Sequence, residues 1–140
     1  MPRIKLKEQE VYEFRSSVQI RPRDINYAGH MGNDSLITLV GDARAQLFHS
    51  LGLSEMDLGD RQTGIIITDL AVNYKAEAFM FDELIIETHL DEFAHKGFRM
   101  FHRISKDSKL IALVETGFVA YNYAAKKAVP LPASFLKRLA

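Results

Sequence analysis

The sequence predicts an α+β domain in which one apolar helix packs against one antiparallel sheet. Apolar residues recur at spacings of three and four in a single stretch, which indicates one long helix. These residues are Leu36, Leu39, Val40, Ala43, Leu47 and Leu51. From about Gly64 onward apolar residues alternate with polar ones, which indicates strands. The connections between these strands are short, and short connections require antiparallel pairing.

The first patterned segment runs from Val11 to Arg23 and predicts an exposed or edge strand, which Pro22 ends because proline cannot donate to a sheet ladder. A loop over residues 24–32 follows. Asn33 or Asp34 is the expected N-cap of the helix, and Gly52 its expected stop. Because the helix is apolar over much of its surface, we expect it to be buried on several sides.

Four strands are expected after the helix. The first carries Leu70, Val72 and Tyr74 on one face, and the next two span Leu84–Leu90 and Phe98–Ile104. The fourth spans Leu110–Tyr123, after a hairpin turn at Lys106–Lys109. Pro130 and Pro132 precede a short amphipathic tail, Ala133–Leu139. One helix cannot cover such a sheet, so we expect the sheet to curve around it and one strand to pair with a second copy of the chain.

Length and composition restrict the function. A chain of 140 residues is expected to form one domain over residues 1–140. Eighteen basic and eighteen acidic residues give a net charge of zero, so no nucleic-acid partner is expected. The apolar runs are too short to cross a membrane, and the first ten residues lack the apolar core of a signal peptide. We therefore expect a cytoplasmic protein without a membrane partner. The absence of cysteine excludes a thiolate nucleophile or thiolate metal site.

Polar residues are concentrated between the first strand and the helix. They are Asp24, Asn26, Tyr27, His30, Asn33 and Asp34. The first N–H groups of a helix lack intrahelical partners and carry partial positive charge, so they stabilise a developing oxyanion. A nearby carboxylate attacks a carbonyl or activates water. The same residue types also serve turns and caps. No second histidine lies at metal-ligand spacing, so no metal is expected.

Several segments of the chain together resemble one protein family. They are DINYAGHMGNDSL at residues 24–36, Asp42-Ala43-Arg44, Leu51-Gly52-Leu53, LAVNYKAEAFMFDELIIET, EFAHKGFRMFHRI and LIALVETGFVAYN. This series resembles the 4-hydroxybenzoyl-CoA thioesterase-like branch of the hotdog superfamily. The resemblance implies a hotdog fold, a curved antiparallel sheet wrapped around one long central helix. It also implies homodimers with a continuous sheet, often homotetramers, with active sites at the subunit interface. The implied activity is hydrolysis of an acyl-CoA without a cofactor, coenzyme A being part of the substrate.

The chain departs from the family motif at Asn26, which occupies the position of the usual catalytic aspartate. An amide cannot accept a proton at neutral pH, although it can orient water or donate to a carbonyl. Another carboxylate must then act. The catalytic candidates are Asp24, Asn26, His30, Asp34 and Asp42, with Asp24 and Asp34 preferred as the acid. Glu77, which follows the central strand, is a further possible source of the carboxylate, from the same chain or a partner chain. The substrate-binding candidates are Tyr27, Gly29, Met31, Gly32, Asn33, Glu77, Lys96 and Gly97.

Further expectations concern the coenzyme A portion of the substrate. The resemblance places Lys96 and Gly97 near the nucleotide or pantetheine arm, and Arg99 and Arg103 share a strand face that could meet phosphates.

A hotdog enoyl-CoA hydratase is one alternative to a thioesterase, although the D-x-N-P-x-H pattern that such hydratases resemble lacks its proline here. A non-catalytic acyl-CoA-binding domain is another, because Asn26 replaces the usual acid.

Overall fold

A computed structural model of the protein describes residues 3–140 and contains two helices and six strands. The strands are β1 (Phe14–Gln19), β2 (Thr63–Tyr74), β3 (Glu83–Asp91), β4 (Gly97–Lys106), β5 (Lys109–Asn122) and β6 (Lys127–Ala128). The helices are α1 (Asn33–Ser50) and α2 (Ala133–Leu139), and a 3-10 turn spans Pro22–Asp24.

All strand pairs are antiparallel, in the order β1-β3-β4-β5-β2, with β6 added to β5. The curved sheet and the one long central helix form the hotdog fold, so the predicted fold class is confirmed.

The helix α1 packs its apolar stripe against the sheet. Leu36, Leu39, Val40, Ala43, Leu47 and Phe48 are buried. The opposite surface, including Asp42 and His49, is exposed in the protomer. Burial of the helix on several sides is therefore not seen within one chain. Gly52 follows the helix with φ +72°, a conformation that glycine adopts without steric cost, and the predicted stop is confirmed.

The predicted N-cap of α1 is wrong by one or two residues, because Gly32 holds that position in extended conformation. The carboxylate of Asp34 explains why glycine occupies position 32. A Cβ on Gly32 would lie 2.6 Å from Asp34 Oδ1, so the missing side chain leaves room for the carboxylate to fold back. The side chain of Asn33 accepts a hydrogen bond from the backbone N–H of Asp34 instead of capping the helix from outside.

The alternating patterns of β3 and β4 place the expected side chains in the core. Leu84, Ile86, Thr88, Leu90, Phe98, Met100, His102 and Ile104 are buried. The predicted turn between β4 and β5 is confirmed, and Asp107 and Ser108 both have positive φ, as a two-residue hairpin turn requires. The first strand is shorter than predicted, since pairing with β3 extends only from Phe14 to Gln19.

Strand β2 forms an edge of the sheet, with β5 as its one partner within residues 3–140. A register shift between Ile67 and Asp69 interrupts the ladder. Ile67, Leu70 and Tyr74 are each between 41% and 50% exposed, so this edge presents apolar surface in the protomer. In the part of the chain that is described, no helix is long and apolar enough to span a membrane.

Candidate active site

The loop before α1 is held by its own hydrogen bonds. The backbone N–H of Arg21 donates to Asp24 Oδ2 at 2.8 Å, and the N–H of Gly32 donates to the Asp24 carbonyl at 2.8 Å. Asn26 donates its N–H to the His30 carbonyl at 3.0 Å, which closes the turn between them. The buried Asp24 is thus used at both its carboxylate and its carbonyl to fix the loop against the start of the helix.

The loop meets the segment after β2 through one backbone hydrogen bond, from the N–H of Met31 to the carbonyl of Ala78 at 2.8 Å. A groove of about 450 Å³ lies beside this contact, and we call it the site groove. It is lined by Asn26, His30, Met31, Asn33, Tyr74, Lys75, Ala76, Glu77, Ala78 and Ile111. Three chain segments that are distant in sequence therefore converge at the amino end of α1.

The first turn of α1 supplies hydrogen-bond donors at the site groove. The earliest helical hydrogen bond runs from Leu36 N–H to the Gly32 carbonyl, and the N–H groups of Asn33 and Ser35 have no acceptor within residues 3–140. Such groups carry the partial positive charge of the helix dipole. The hydroxyl of Tyr74 donates to the carbonyl of Asn33 at 2.9 Å and fixes this end of the helix. Burial raises the pKa of Tyr74, and the negative charge of Asp34 raises it further, so Tyr74 stays a donor at neutral pH.

An acid–base pair faces the site groove. His30 Nδ1 lies 3.1 Å from the Met31 carbonyl, which accepts its proton, and Nε2 lies 3.9 Å from Glu77 Oε1. The side chains of His30 and Glu77 are 31% and 64% exposed, so both are open to water and to a ligand. Asn26 Oδ1 accepts the N–H of Ala28 at 2.9 Å, which leaves the Asn26 amide N–H groups to donate to a ligand.

The structure brings together only some of the residues selected from sequence. Asn26, His30, Met31, Asn33 and Glu77 line the site groove. The others lie outside its lining: Asp24 and Gly32 are buried behind the loop, Tyr27 and Gly29 are exposed on its turn, and Asp34 folds over Gly32. Asp42 is exposed more than two turns along α1. None of these roles is tested by position alone, and each stays a prediction.

Lys96 and Gly97 lie at the opposite end of the sheet from the site groove in the same protomer. Gly97 pairs with Val119 of β5, whereas the groove residue Tyr74 pairs with Ala112. Seven residues of strand separate these positions, roughly 23 Å at about 3.3 Å per residue. A Cβ on Gly97 would lie 2.5 Å from the Phe118 carbonyl, so close strand packing alone requires glycine there.

The arginines expected to meet phosphates are already neutralised. Arg99 is bound by Asp69 and Glu115, and Arg103 by Glu87 and Glu8. Each guanidinium therefore has two carboxylate partners from other segments, which the spacing along β4 does not reveal. The expectation that these two arginines are open to a phosphate is not met in the protomer.

Arg44 does not pair with its near neighbour Asp42. Its side chain points across the helix, donates to Glu55 Oε1 at 2.8 Å, and lies over the ring of Phe118 at 5.2 Å from the centroid. The guanidinium thus ties α1 to the segment before β2 by a partly buried ion pair and a cation–π contact. Asp42 has no ion-pair partner in the described part of the chain, so its carboxylate is uncommitted.

Several groove residues were missed by sequence analysis: Tyr74, Lys75, Ala76, Ala78 and Ile111. Tyr74 carried a usable signal, because it continues the alternation of Leu70 and Val72 at the end of its strand. No sequence pattern marked Ile111 as a groove residue, because its position beside the groove depends on the pairing of β5 with β2. Within residues 3–140 no three His, Asp or Glu side chains are grouped as a metal site. The expected absence of a metal stays a prediction.

Comparison with solved structures finds the same fold in thioesterases. A 1,4-dihydroxy-2-naphthoyl-CoA thioesterase from Synechocystis matches with a TM-score of 0.81 at 19% identity, over 90% of this chain and 94% of that one. A gentisyl-coenzyme A thioesterase matches with a TM-score of 0.80 at 22% identity, over 91% of this chain and 100% of that one. A Staphylococcus aureus protein solved in complex with CoA matches with a TM-score of 0.82 at 16% identity, over 95% of this chain and 85% of that one.

No curated protein sequence matches the chain. The model of one protein family does match, and it is described as the thioesterase-like superfamily. The match extends over residues 20–139 and includes the loop, the central helix and every strand from β2 to β6. On this match, the chain belongs to the thioesterase-like superfamily.

Proposed function

We propose that the protein hydrolyses the thioester of an acyl-CoA to a carboxylic acid and free CoA. The observation that carries the proposal is the composition of the site groove. The groove is lined by two residues with free N–H groups, Asn33 in its backbone and Asn26 in its side-chain amide, and by the pair His30 and Glu77. Membership of the thioesterase-like superfamily and the thioesterase names of two structural neighbours support the same chemistry.

The donors of the groove bind the carbonyl oxygen of the thioester. The N–H of Asn33 belongs to the first turn of α1, where the helix dipole favours negative charge. The amide of Asn26 supplies a second donor from the loop. As water adds to the carbonyl carbon, the oxygen becomes negative and its hydrogen bonds to these groups strengthen. The donors therefore stabilise the transition state more than the substrate.

Glu77 accepts the proton of the attacking water. The bond between the water oxygen and the thioester carbonyl carbon forms and gives a tetrahedral intermediate. Its carbon–sulfur bond then breaks, and Glu77 passes the proton to the departing CoA sulfur. His30 lies beside Glu77. Its Nδ1 donates to the Met31 carbonyl, and its Nε2, 3.9 Å from the carboxylate, holds Glu77 electrostatically when Nε2 also carries a proton. The reaction as written requires water and CoA thioester alone, without a further cofactor. Asp34 and Asp42 stay open as alternative sources of the carboxylate, Asp42 across an interface between copies.

The assembly we propose is a homodimer or homotetramer in the cytoplasm, joined through strand β2. Its free edge and the exposed Ile67, Leu70 and Tyr74 form an apolar margin that a second copy would cover. Because Tyr74 also lines the site groove, such pairing would bring a second chain beside the groove. The likeness to a protein solved with CoA supports acyl-CoA as the ligand.

A thiol-release assay over aromatic, short-chain and long-chain acyl-CoAs tests this function. We expect release with at least one class, and we expect Glu77→Gln to lower kcat/KM by roughly a hundredfold or more. The exposed Glu92→Gln, which lies outside the groove, is the matched control and should keep parental activity.

The alternatives give different outcomes in the same experiment. A crotonyl thioester that loses its enone absorbance without releasing thiol would indicate a hydratase. Measurable affinity for acyl-CoA with no turnover of any class would indicate a binding domain. Either result would overturn hydrolysis as the function.

A further inference from the structure

The segment before β1 is fixed across the outer face of the sheet, opposite α1. The N–H of Leu6 donates to Asn73 Oδ1 at 2.7 Å, and Asn73 Nδ2 donates to the Ile4 carbonyl at 3.0 Å. Farther along, Glu8 binds Arg103 Nη1 at 3.0 Å. Asn73 of β2 and Arg103 of β4 are both register partners of Leu113 in β5. The segment therefore lies beside the edge strand β2 at residues 4–6 and crosses β5 to reach β4 at Glu8.

This segment presents a set of cations. Arg3, Lys5 and Lys7 alternate with apolar residues and are exposed, and Lys75 follows β2 on the adjacent surface. We call these four residues the cationic patch. Within residues 3–140, none of them has a carboxylate oxygen within 4.0 Å. Their charges are therefore available to a ligand, unlike those of the arginines on β4.

The cationic patch adjoins the site groove. A second groove of about 770 Å³ is lined by residues 3–7 and 72–75, and it includes all four members of the patch. Tyr74 and Lys75 line this groove and the site groove alike. A ligand that spans both grooves would therefore contact the amino end of α1 at one end and cationic side chains without carboxylate partners at the other.

We propose that the cationic patch binds the phosphate groups of the nucleotide part of CoA. This inference rests on the proposed function, since it concerns the substrate of that same groove. An acyl-CoA carries its reactive thioester at one end of a long pantetheine arm and its phosphates at the other. A groove of hydrogen-bond donors that is continuous with a cluster of free cations matches that separation of chemistry. Lysine ammonium groups bind phosphate as point charges, without the fixed geometry of an arginine fork.

Binding of adenosine 3′,5′-bisphosphate, measured by titration calorimetry, tests the patch without any turnover. The parent is compared with Lys5→Glu/Lys7→Glu. The control, Lys127→Glu/Lys137→Glu, makes the same charge change at exposed lysines that line neither groove. We expect the patch variant to bind roughly tenfold more weakly, because two attractions become repulsions near the surface. The control should match the parent. Absence of binding to the parent at low salt, or equal weakening in the control, would overturn the proposal.

A kinetic comparison separates this inference from the proposed function. In the patch variant we expect KM for the acyl-CoA to rise roughly tenfold with kcat unchanged, and KM for the matching acyl-pantetheine, which lacks the nucleotide, to stay constant. Failure of the parent to release thiol from either substrate would count against hydrolysis, while calorimetry would still decide the patch. If the parent bound anionic phospholipid vesicles through these lysines and bound no bisphosphate, the patch would be a membrane contact and the proposal wrong.

Discussion

The hydroxyl of Tyr74, at the end of edge strand β2, donates to the carbonyl of Asn33 in the first residue of α1. This bond joins the sheet to the helix end that supplies the free N–H groups. The two residues are 41 positions apart in sequence, so the geometry of the site groove depends on tertiary structure as well as on the loop motif.

Tyr74→Phe is expected to lower both stability and catalysis. Loss of one hydrogen bond should reduce the free energy of unfolding by about 1 kcal/mol and kcat/KM severalfold, because the start of α1 gains freedom. The control is Tyr123→Phe, which removes a similar bond to the Ile65 carbonyl at the far end of β2. Chemical denaturation and thiol release check both variants. Equal kinetic losses in the two would contradict the assigned role.

Asn26→Asp is expected to reduce kcat/KM, although it restores the residue typical of the resembled family. The aspartate would keep the acceptor used by Ala28 but could not donate to the carbonyl oxygen. It would also place negative charge beside the oxyanion. Steady-state kinetics provide the measurement. An increase in kcat would instead contradict the donor role assigned to the Asn26 amide.

Asp24→Asn is expected to affect stability more than chemistry. The buried carboxylate accepts the Arg21 N–H, and an amide in its place would lose the charge-assisted bond, at about 1–2 kcal/mol. Asp34→Asn, at an exposed position, should cost less. Urea midpoints compare the two. A large loss of kcat in a fully folded Asp24→Asn protein would show that the carboxylate takes part in the reaction.

His102 should make the fold sensitive to acid. Burial lowers its pKa to about 3, and the charge of Arg44 contributes in the same direction. The unfolded chain therefore binds more protons below the ordinary histidine pKa, so stability falls with decreasing pH from there toward the folded pKa. From about pH 7.5 to about pH 5, this group should cost about 2 kcal/mol.

His102→Gln isolates the acid effect, because the other histidines are kept. The decrease in unfolding free energy between the two pH values should be smaller in the variant than in the parent. Identical decreases would mean that the imidazole is charged in the folded protein or titrates normally.

Local patterns predicted much of the architecture. The apolar spacing in α1, the alternation in β3 and β4 and the turn at Lys106–Lys109 each depend on interactions between near neighbours in sequence. The two-residue strand β6 escaped prediction because only its pairing with Tyr121 and Asn122 defines it. The N-cap was misassigned because Asn33 and Asp34 are of residue types that usually cap helices. The cap is Gly32 instead, since a side chain there would collide with the Asp34 carboxylate.

The candidate site was predictable in its loop and not beyond it. Asn26, His30 and Asn33 lie within one continuous motif, so their proximity follows from sequence. Glu77 was a candidate, but its contact with His30 follows from the hydrogen bond between Met31 and Ala78. The neutralisation of Arg99 by Asp69 and Glu115 brings together three strands, and no spacing within one strand encodes it.

Tyr74 belongs both to the margin of β2 and to the site groove, so the association proposed above would make the rate of catalysis depend on chain concentration. If copies associate along that margin, separating them would expose the groove wall to bulk water and loosen it. Specific activity should then decline when the enzyme is diluted through its association midpoint, and recover on concentration. A rate per chain that stays constant across dilution, while sedimentation reports monomers, would mean that each protomer works alone.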